Sequence, residues 1–236
     1  MEKSSNATEL VRDHFRAKAF SFDHLYDEEH AVQRVLRPGL FRRRELALDV
    51  VRSYQSPRVL DVGCGSGRVG ELALEQGAGE YVGIDFSEPM LALAEERLAR
   101  FAPRMRLVRG DFLEEDLDGR FDVVLALGLF DYVAEPERFT RRFGELAAPG
   151  GSVVGSFPRW DWLKGPVRKL RYEVINNCPI FDYTRPQLRA LFNGAGFDEV
   201  DIRQPLRSAA FARCRSEARS GSRARSGSGS HSYGWK

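Results

Sequence analysis

The chain is 236 residues long, 42% hydrophobic and 11% aromatic, with 16 Phe; this composition can supply one substantial core and excludes a wholly disordered chain. Basic and acidic residues nearly balance, but seven Arg and one Lys against Glu217 lie after position 202, so the preceding body is mildly acidic and offers no broad phosphate-binding face. No apolar run approaches the roughly 20 residues of a membrane helix, Met1–Thr8 has no signal-peptide core, and Cys64, Cys178 and Cys214 form no C-x-x-C pair; neither a disulfide framework nor a metal knuckle is expected, and the reducing cytoplasm is the expected compartment.

Residues 1–54 read as a helical, charged N-terminal extension carrying Phe15, Phe20, Phe22 and Tyr26, able to fold over a site as a lid. Pro38-Gly39 breaks this stretch, and a second helix spans Leu40 to Tyr54. From Arg58, short β-rich runs alternate with helices of about ten residues. The strands are Val59–Val62, Tyr81–Asp85, Met105–Val108, Phe121–Ala126 and Ser152–Ser156; the helices are Gly70–Gln76, Pro89–Phe101 and Pro136–Leu146. Such alternation predicts a parallel sheet covered on both faces, with right-handed crossovers. Ser87 is placed to cap the second of these helices, and Pro149-Gly150-Gly151 to turn the third into a strand. Residues 157–183, rich in aromatics such as Trp160, Trp162 and Tyr183, insert before a helix that opens at Thr184-Arg185-Pro186. Val200–Gln204 and Ala209–Cys214 read as a final antiparallel pair. The Arg/Ser/Gly segment 216–236 reads as a disordered tail, having almost nothing to bury.

The chemistry concentrates at the first strand. Val59-Leu60-Asp61-Val62-Gly63-Cys64-Gly65-Ser66-Gly67 is a strand entering a glycine-rich turn that opens a helix. Glycines at 63, 65 and 67 let a ligand approach the backbone, and the helix N-terminus suits an anionic group. Gly65, Gly67 and Gly70 also fit the G-x-G-x-x-G spacing of a dinucleotide site. Asp85 ends the second strand about 20 residues on, where a carboxylate can accept both hydroxyls of a ribose. Gly110-Asp111-Phe112 ends the third, where Asp111 can receive an adenine amino group beside Phe112; alternatively Asp111 caps the turn of Leu113–Asp116. Asp61 stands just before the first glycine, where dinucleotide sites keep an apolar residue. A carboxylate there suits a ligand bearing an ammonium group. Cys64 fits a loop-filling role better than a nucleophilic one.

Taken together, Val59 to Pro158 resembles the class I S-adenosylmethionine-dependent methyltransferases of the small-molecule branch. The resemblance rests on Leu-Asp-Val-Gly-Cys-Gly-Ser-Gly, Gly-Ile-Asp-Phe-Ser-Glu-Pro-Met, Gly-Asp-Phe, Phe-Asp-Val-Val-Leu-Ala-Leu-Gly and Ala-Pro-Gly-Gly-Ser in that order. It implies a Rossmann-like, doubly wound α/β fold in three layers, with a seven-stranded sheet, mostly parallel, and one antiparallel strand near the C-terminus. The methyltransferase domain would span 55–215. The implied S-adenosyl-L-methionine contacts are Asp61, Gly63, Cys64, Gly65 and Gly67 at the first turn, Asp85, Phe86 and Met90 at the second strand and helix, Gly110, Asp111 and Phe112 at the third, and Leu127 to Phe130 at the methyl face, with Tyr26 from the extension above. The tail 216–236 has no counterpart in the family's pattern.

The implied reaction is an in-line displacement at a sulfonium methyl, served mainly by alignment and exclusion of water. Aromatic faces near the cation, among them Phe130, Tyr132, Phe22 and Tyr26, can assist. A hydroxyl acceptor would call for a general base, for which Asp131, Tyr132 and His24 are the leading candidates, with His14 and His30 behind them. Ala126-Leu127-Gly128-Leu129-Phe130 is not the Asn/Asp-Pro-Pro-aromatic run of base-modifying enzymes, and Cys178-Pro179 reverses the Pro-Cys order of pyrimidine C5 chemistry. A nucleic-acid partner is therefore disfavoured and a small-molecule methyl acceptor favoured. A protein that binds the cofactor without turnover, and an NAD-dependent oxidoreductase, remain as alternatives.

Overall fold

A computed structural model describes residues 38–158, 170, 179–206 and 209–215. Helix α1 (Pro38–Arg52) leads through a turn into β1 (Arg58–Val62), α2 (Arg68–Glu75), β2 (Glu80–Asp85) and α3 (Glu88–Leu98). A 3₁₀ segment, Ala99–Arg104, joins α3 to β3 (Met105–Arg109); β4 (Phe121–Ala126), α4 (Pro136–Leu146) and β5 (Ala147–Pro158) follow. Then come α5 (Arg185–Gly194), β6 (Glu199–Leu206) and β7 (Ala209–Arg215). The open α/β sheet foreseen from the alternation is the fold observed: β1 to β5 are parallel in the order β3-β2-β1-β4-β5. By backbone pairing, β7 joins β5 antiparallel and β6 closes that edge.

The central strands are apolar on both faces because both are covered. Leu60, Val62, Val82, Ile84, Val124 and Val153 meet α4 and α5 through Phe143, Leu146, Leu188 and Phe192. The alternate residues Val59, Tyr81, Val123, Leu125 and Val154 meet α1, α2 and α3 through Leu46, Ala47, Val51, Ala73, Leu74, Leu91 and Leu98. By this period-two rule Asp61 and Asp85 share the α1–α3 side with Tyr81. The connection from β3 to β4 returns the chain to the far side of β1, so the tips of β1, β2 and β4 lie around a switch in winding direction, where open α/β sheets bind ligands.

Three local expectations are corrected. Pro38-Gly39 begins α1 rather than breaking the chain before it, since a first-turn proline has no intrahelical N–H bond to forfeit. Ser87 makes no side-chain cap: its Oγ is buried without a hydrogen-bond partner, and the residue is tied down by its N–H donating to Asp85 Oδ1 at 2.8 Å. The strand after α4 begins at Ala147, ahead of the Pro-Gly-Gly turn, with a register irregularity between Phe121 and Val123 where it pairs with β4. At Thr184 a complete capping box forms with Gln187, giving α5 its start. No helix among the described residues is long and apolar enough to cross a membrane.

Candidate active site

The strand tips are bound to one another by a compact set of backbone bonds. The N–H groups of Gly63 and Cys64 both donate to Ile84 O, at 2.9 and 3.2 Å, and Gly110 N–H donates to Asp85 O at 3.1 Å. The glycine loop therefore sits directly on the end of β2, and β3 ends against the same residue. Gly65 (φ +53°) donates its N–H to Asp85 Oδ2 at 2.9 Å. A Cβ at Gly65 would meet no atom within 4 Å; the loop's free face lies here, beside the Asp85 carboxyl. Gly67 (φ +75°) is the N-cap of α2, and a Cβ on it would press on Ala94 and Leu98 at 3.1 Å. Gly70 lies under the Tyr81 ring so closely that a Cβ would collide with it. The third glycine of the G-x-G-x-x-G spacing thus serves helix–sheet packing.

Asp85 accepts the Gly65 N–H on Oδ2 and the Ser87 N–H on Oδ1. Burial pushes its carboxyl up, and the N–H bonds from Ser87, Gly65 and Phe86 oppose that. A carboxylate has about four acceptor positions, so these N–H groups leave room for a hydroxyl donor. Asp61 is 2% exposed. Burial raises its carboxyl to about 7, against the lowering effect of a hydrogen bond from Tyr81 Oη to Asp61 Oδ2 at 3.0 Å; the nearby Asp85 adds a smaller upward push. A buried carboxyl so perturbed is suited to meeting a cation. Asp111 Oδ1 accepts the Leu113 N–H at 2.9 Å, and Asp111 O accepts the N–H groups of Glu114 and Glu115. The turn-capping alternative for Asp111 is therefore present in the structure, with the second carboxylate oxygen outside that turn bond. Burial holds the Cys64 thiol well above its usual range, so it is a neutral filler; its Sγ occupies the space beside Gly83.

The remaining sequence candidates divide. Phe86 and Leu127 are half-buried at the tips of β2 and β4, and Met90 is buried on α3. Phe112 turns inward, its ring 5.3 Å from that of Phe143 and 5.6 Å from that of Phe139. Phe130 is corrected as a methyl-face aromatic: it is fully buried, 4.5 Å from Phe157 between ring centroids. The apolar core claims it because its neighbours Phe143, Phe157 and Tyr183 form one aromatic cluster. Tyr183 belongs to the same cluster, its hydroxyl donating to Val133 O at 3.1 Å. Asp131 and Tyr132 are half-buried on the loop after β4; Asp131 O accepts the Phe181 N–H at 2.9 Å. His14, His24, His30, Phe22, Tyr26, Trp160, Trp162 and the tail 216–236 lie outside the described residues.

Two residues escaped the sequence reading. Arg43 on α1 brings its guanidinium to 3.2 Å from where a Cβ at Gly128 (φ +81°) would lie, above the β4 tip. It stands in the run Arg42-Arg43-Arg44, and only the long-range packing of α1 singles it out. Tyr81 is fully buried and reaches Asp61 with its hydroxyl; a tyrosine in a wholly buried strand is itself a signal that a polar partner is near. Ser156 Oγ accepts the Gly128 N–H at 2.8 Å and so anchors the loop. A separate cavity of about 420 Å³ between α4 and α5, lined by Pro136, Arg141, Gln187 and Leu191 among others, includes no residue of the glycine loop.

Residues 60–153 match the methyltransferase domain family. A ubiquinone biosynthesis O-methyltransferase of Azorhizobium caulinodans is 35% identical over 107 residues, 45% of this chain and 42% of that protein; the match thus spans less than half of the relative's length. Among solved structures, magnesium protoporphyrin IX methyltransferase from Synechocystis PCC 6803 with bound S-adenosylhomocysteine superposes with a TM-score of 0.68 at 17% identity, covering 89% of this chain and 99% of that one. Burkholderia thailandensis 1,6-didemethyltoxoflavin-N1-methyltransferase, holding its substrate and S-adenosylhomocysteine, gives 0.68 at 19% identity over 91% and 90%. At these identities the two structures speak for the fold.

Proposed function

We propose that the chain, whose residues 60–153 match the methyltransferase domain family, is a class I methyltransferase that transfers a methyl group from S-adenosyl-L-methionine to a small organic acceptor. The observation that carries the reading is the double engagement of Asp85. One carboxylate fastens the Gly65 loop and the start of α3, and its remaining lone pairs face the gap beside Gly65, where a ribose diol fits. Asp61 lies deeper on the same side of the sheet and takes the ligand's ammonium group. Arg43, beside Gly128, supplies positive charge for the carboxylate of the same amino-acid end. Asp111 receives the adenine amino group through the oxygen outside its turn bond.

When bound, the cofactor supplies a methyl group on a sulfonium whose leaving group is a neutral thioether, so the protein's task is alignment. Leu127 and Gly128 at the β4 tip hold the methyl side, with Gly128 fixed by Ser156. The acceptor sits over the loop carrying Asp131 and Tyr132, and for a hydroxyl acceptor one of these takes the proton. Positioning of this type can lower a barrier by about 7–11 kcal/mol. The acceptor is a small molecule rather than nucleic acid, in keeping with the mildly acidic body, and the enzyme acts in the cytoplasm.

Incubation with methyl-labelled S-adenosylmethionine and a panel of phenols, carboxylic acids, amines and activated carbons tests the reading. Labelled product that is lost in Asp131→Asn or Tyr132→Phe with the cofactor KM unchanged identifies the base. Cofactor binding without any labelled product would replace turnover by a silent binding role.

A further inference from the structure

We propose that Tyr81 is a positioning residue for the cofactor's ammonium group: its hydroxyl fixes Asp61 from below and sets the acidity at which the protein stops capturing its ligand. The inference rests on the assignment of that ammonium to Asp61 and extends it to a residue that no ligand touches.

The geometry is tightly constrained. Tyr81 faces α2 from near the start of β2, two residues before Gly83, which pairs in register with Asp61. Gly83 has no side chain, and Cys64 Sγ fills part of the space. The Tyr81 ring rests on Gly70 with no room for a methyl group between them. It is fully buried, and its hydroxyl has a defined acceptor, Asp61 Oδ2, at 3.0 Å. Among the described residues, the titratable groups interacting with Asp61 are Tyr81 and Asp85 from β2 and Cys64 from the loop; the register partner from β4, Leu125, is apolar. Among the described residues, no cation is among the groups that shift Asp61. Burial keeps both the Tyr81 phenol and the Cys64 thiol protonated, so Tyr81 remains a donor throughout the physiological range.

Only ionised Asp61 attracts an ammonium group, and the Tyr81 hydrogen bond stabilises that ionised form against burial. Affinity for a ligand with the amino-acid end should therefore fall as pH drops through about 7. A ligand lacking that end should not sense the change. Removal of the hydroxyl takes away a bond to a charged acceptor and moves the fall upward by about one pH unit.

The test is isothermal titration of the full chain across the neutral range with two ligands: S-adenosylhomocysteine, and 5′-methylthioadenosine, which keeps the nucleoside and lacks the amino-acid end. The wild type should show a low-pH loss of affinity for the first only. Tyr81→Phe keeps the ring on Gly70 and should show the same loss at higher pH, with 5′-methylthioadenosine binding as in the wild type. A profile for S-adenosylhomocysteine that coincides in the two proteins overturns the role of Tyr81 while leaving the Asp61 assignment standing. Identical pH dependence for both ligands in the wild type overturns the ammonium assignment and the inference with it. Should Tyr81→Phe not fold, Gly70→Ala, whose methyl displaces the phenol from Asp61, must produce the same upward shift; an unshifted profile in that variant overturns the inference equally.

Discussion

At Asp85 one side chain joins the glycine loop to the start of α3, and the proposed function gives it a second task, accepting the hydroxyls of a ribose. Asp85→Ala should weaken S-adenosylhomocysteine binding by at least about 1.5 kcal/mol, the low end for a hydrogen bond to a charged acceptor; unchanged affinity in a calorimetric titration would contradict the ribose role. Asp61 gives a second, ligand-free test. Its folded carboxyl is raised from 3.8 to about 7, so between these values the folded state binds a proton that the unfolded state releases. Stability contributed by this group is therefore present at acid pH and is lost as pH rises through that window. In Asp61→Asn the decline should disappear, read as a flatter dependence of Tm on pH between about 4 and 7. Both acids could be read from the sequence because Asp61 closely precedes the first glycine of the loop and Asp85 ends the next strand about 20 residues on, the strand–helix–strand spacing of a nucleotide site. The partners that tune them could not, since Tyr81 lies 20 residues away from Asp61 and reaches it only through strand register.

At the level of elements, patterns of period two and three to four residues marked the strands and helices, while termini depended on side-chain competition. Thr184 shows the rule holding: its capping box with Gln187 starts α5 where the sequence places it. Thr184→Ala should cost about 0.5–2 kcal/mol in urea-induced unfolding, in line with other cap removals. Ser87 shows the rule failing: its Oγ is buried without a hydrogen-bond partner, and the residue is held through its own N–H on Asp85 instead. Phe130 was misplaced for a related reason. A loop position after β4 looks ligand-facing in sequence, yet Phe143, Phe157 and Tyr183 draw the ring into the core. Phe130→Ala should accordingly lower stability by about 3–5 kcal/mol, as for other buried aromatics, measured by the shift in denaturant midpoint; a negligible shift would return Phe130 to the ligand side.

Across the whole molecule, the alternation of strands and helices was enough to anticipate an open parallel sheet, and the order of its first three strands brings the ends that carry Asp61, Asp85 and Asp111 side by side. The α1 helix was harder to place. Its charged run conceals a buried face of Leu46, Ala47, Leu48, Val50 and Val51 that seats it on the sheet and carries Arg43 to the β4 tip. The proposed function puts selection of the acceptor over Gly128 to Tyr132, and residues 159–169 and 171–178, which the sequence marks as aromatic and bulky, lie outside the described residues. The cofactor half can be tested without knowing that acceptor. Isothermal titration of the full chain with S-adenosylhomocysteine and, separately, with NAD is the most direct measurement. Heat of saturable binding for S-adenosylhomocysteine and none for NAD is the expected result. Saturable NAD binding with no response to S-adenosylhomocysteine would contradict the gathering of Asp61, Asp85 and Asp111 around a methyl donor.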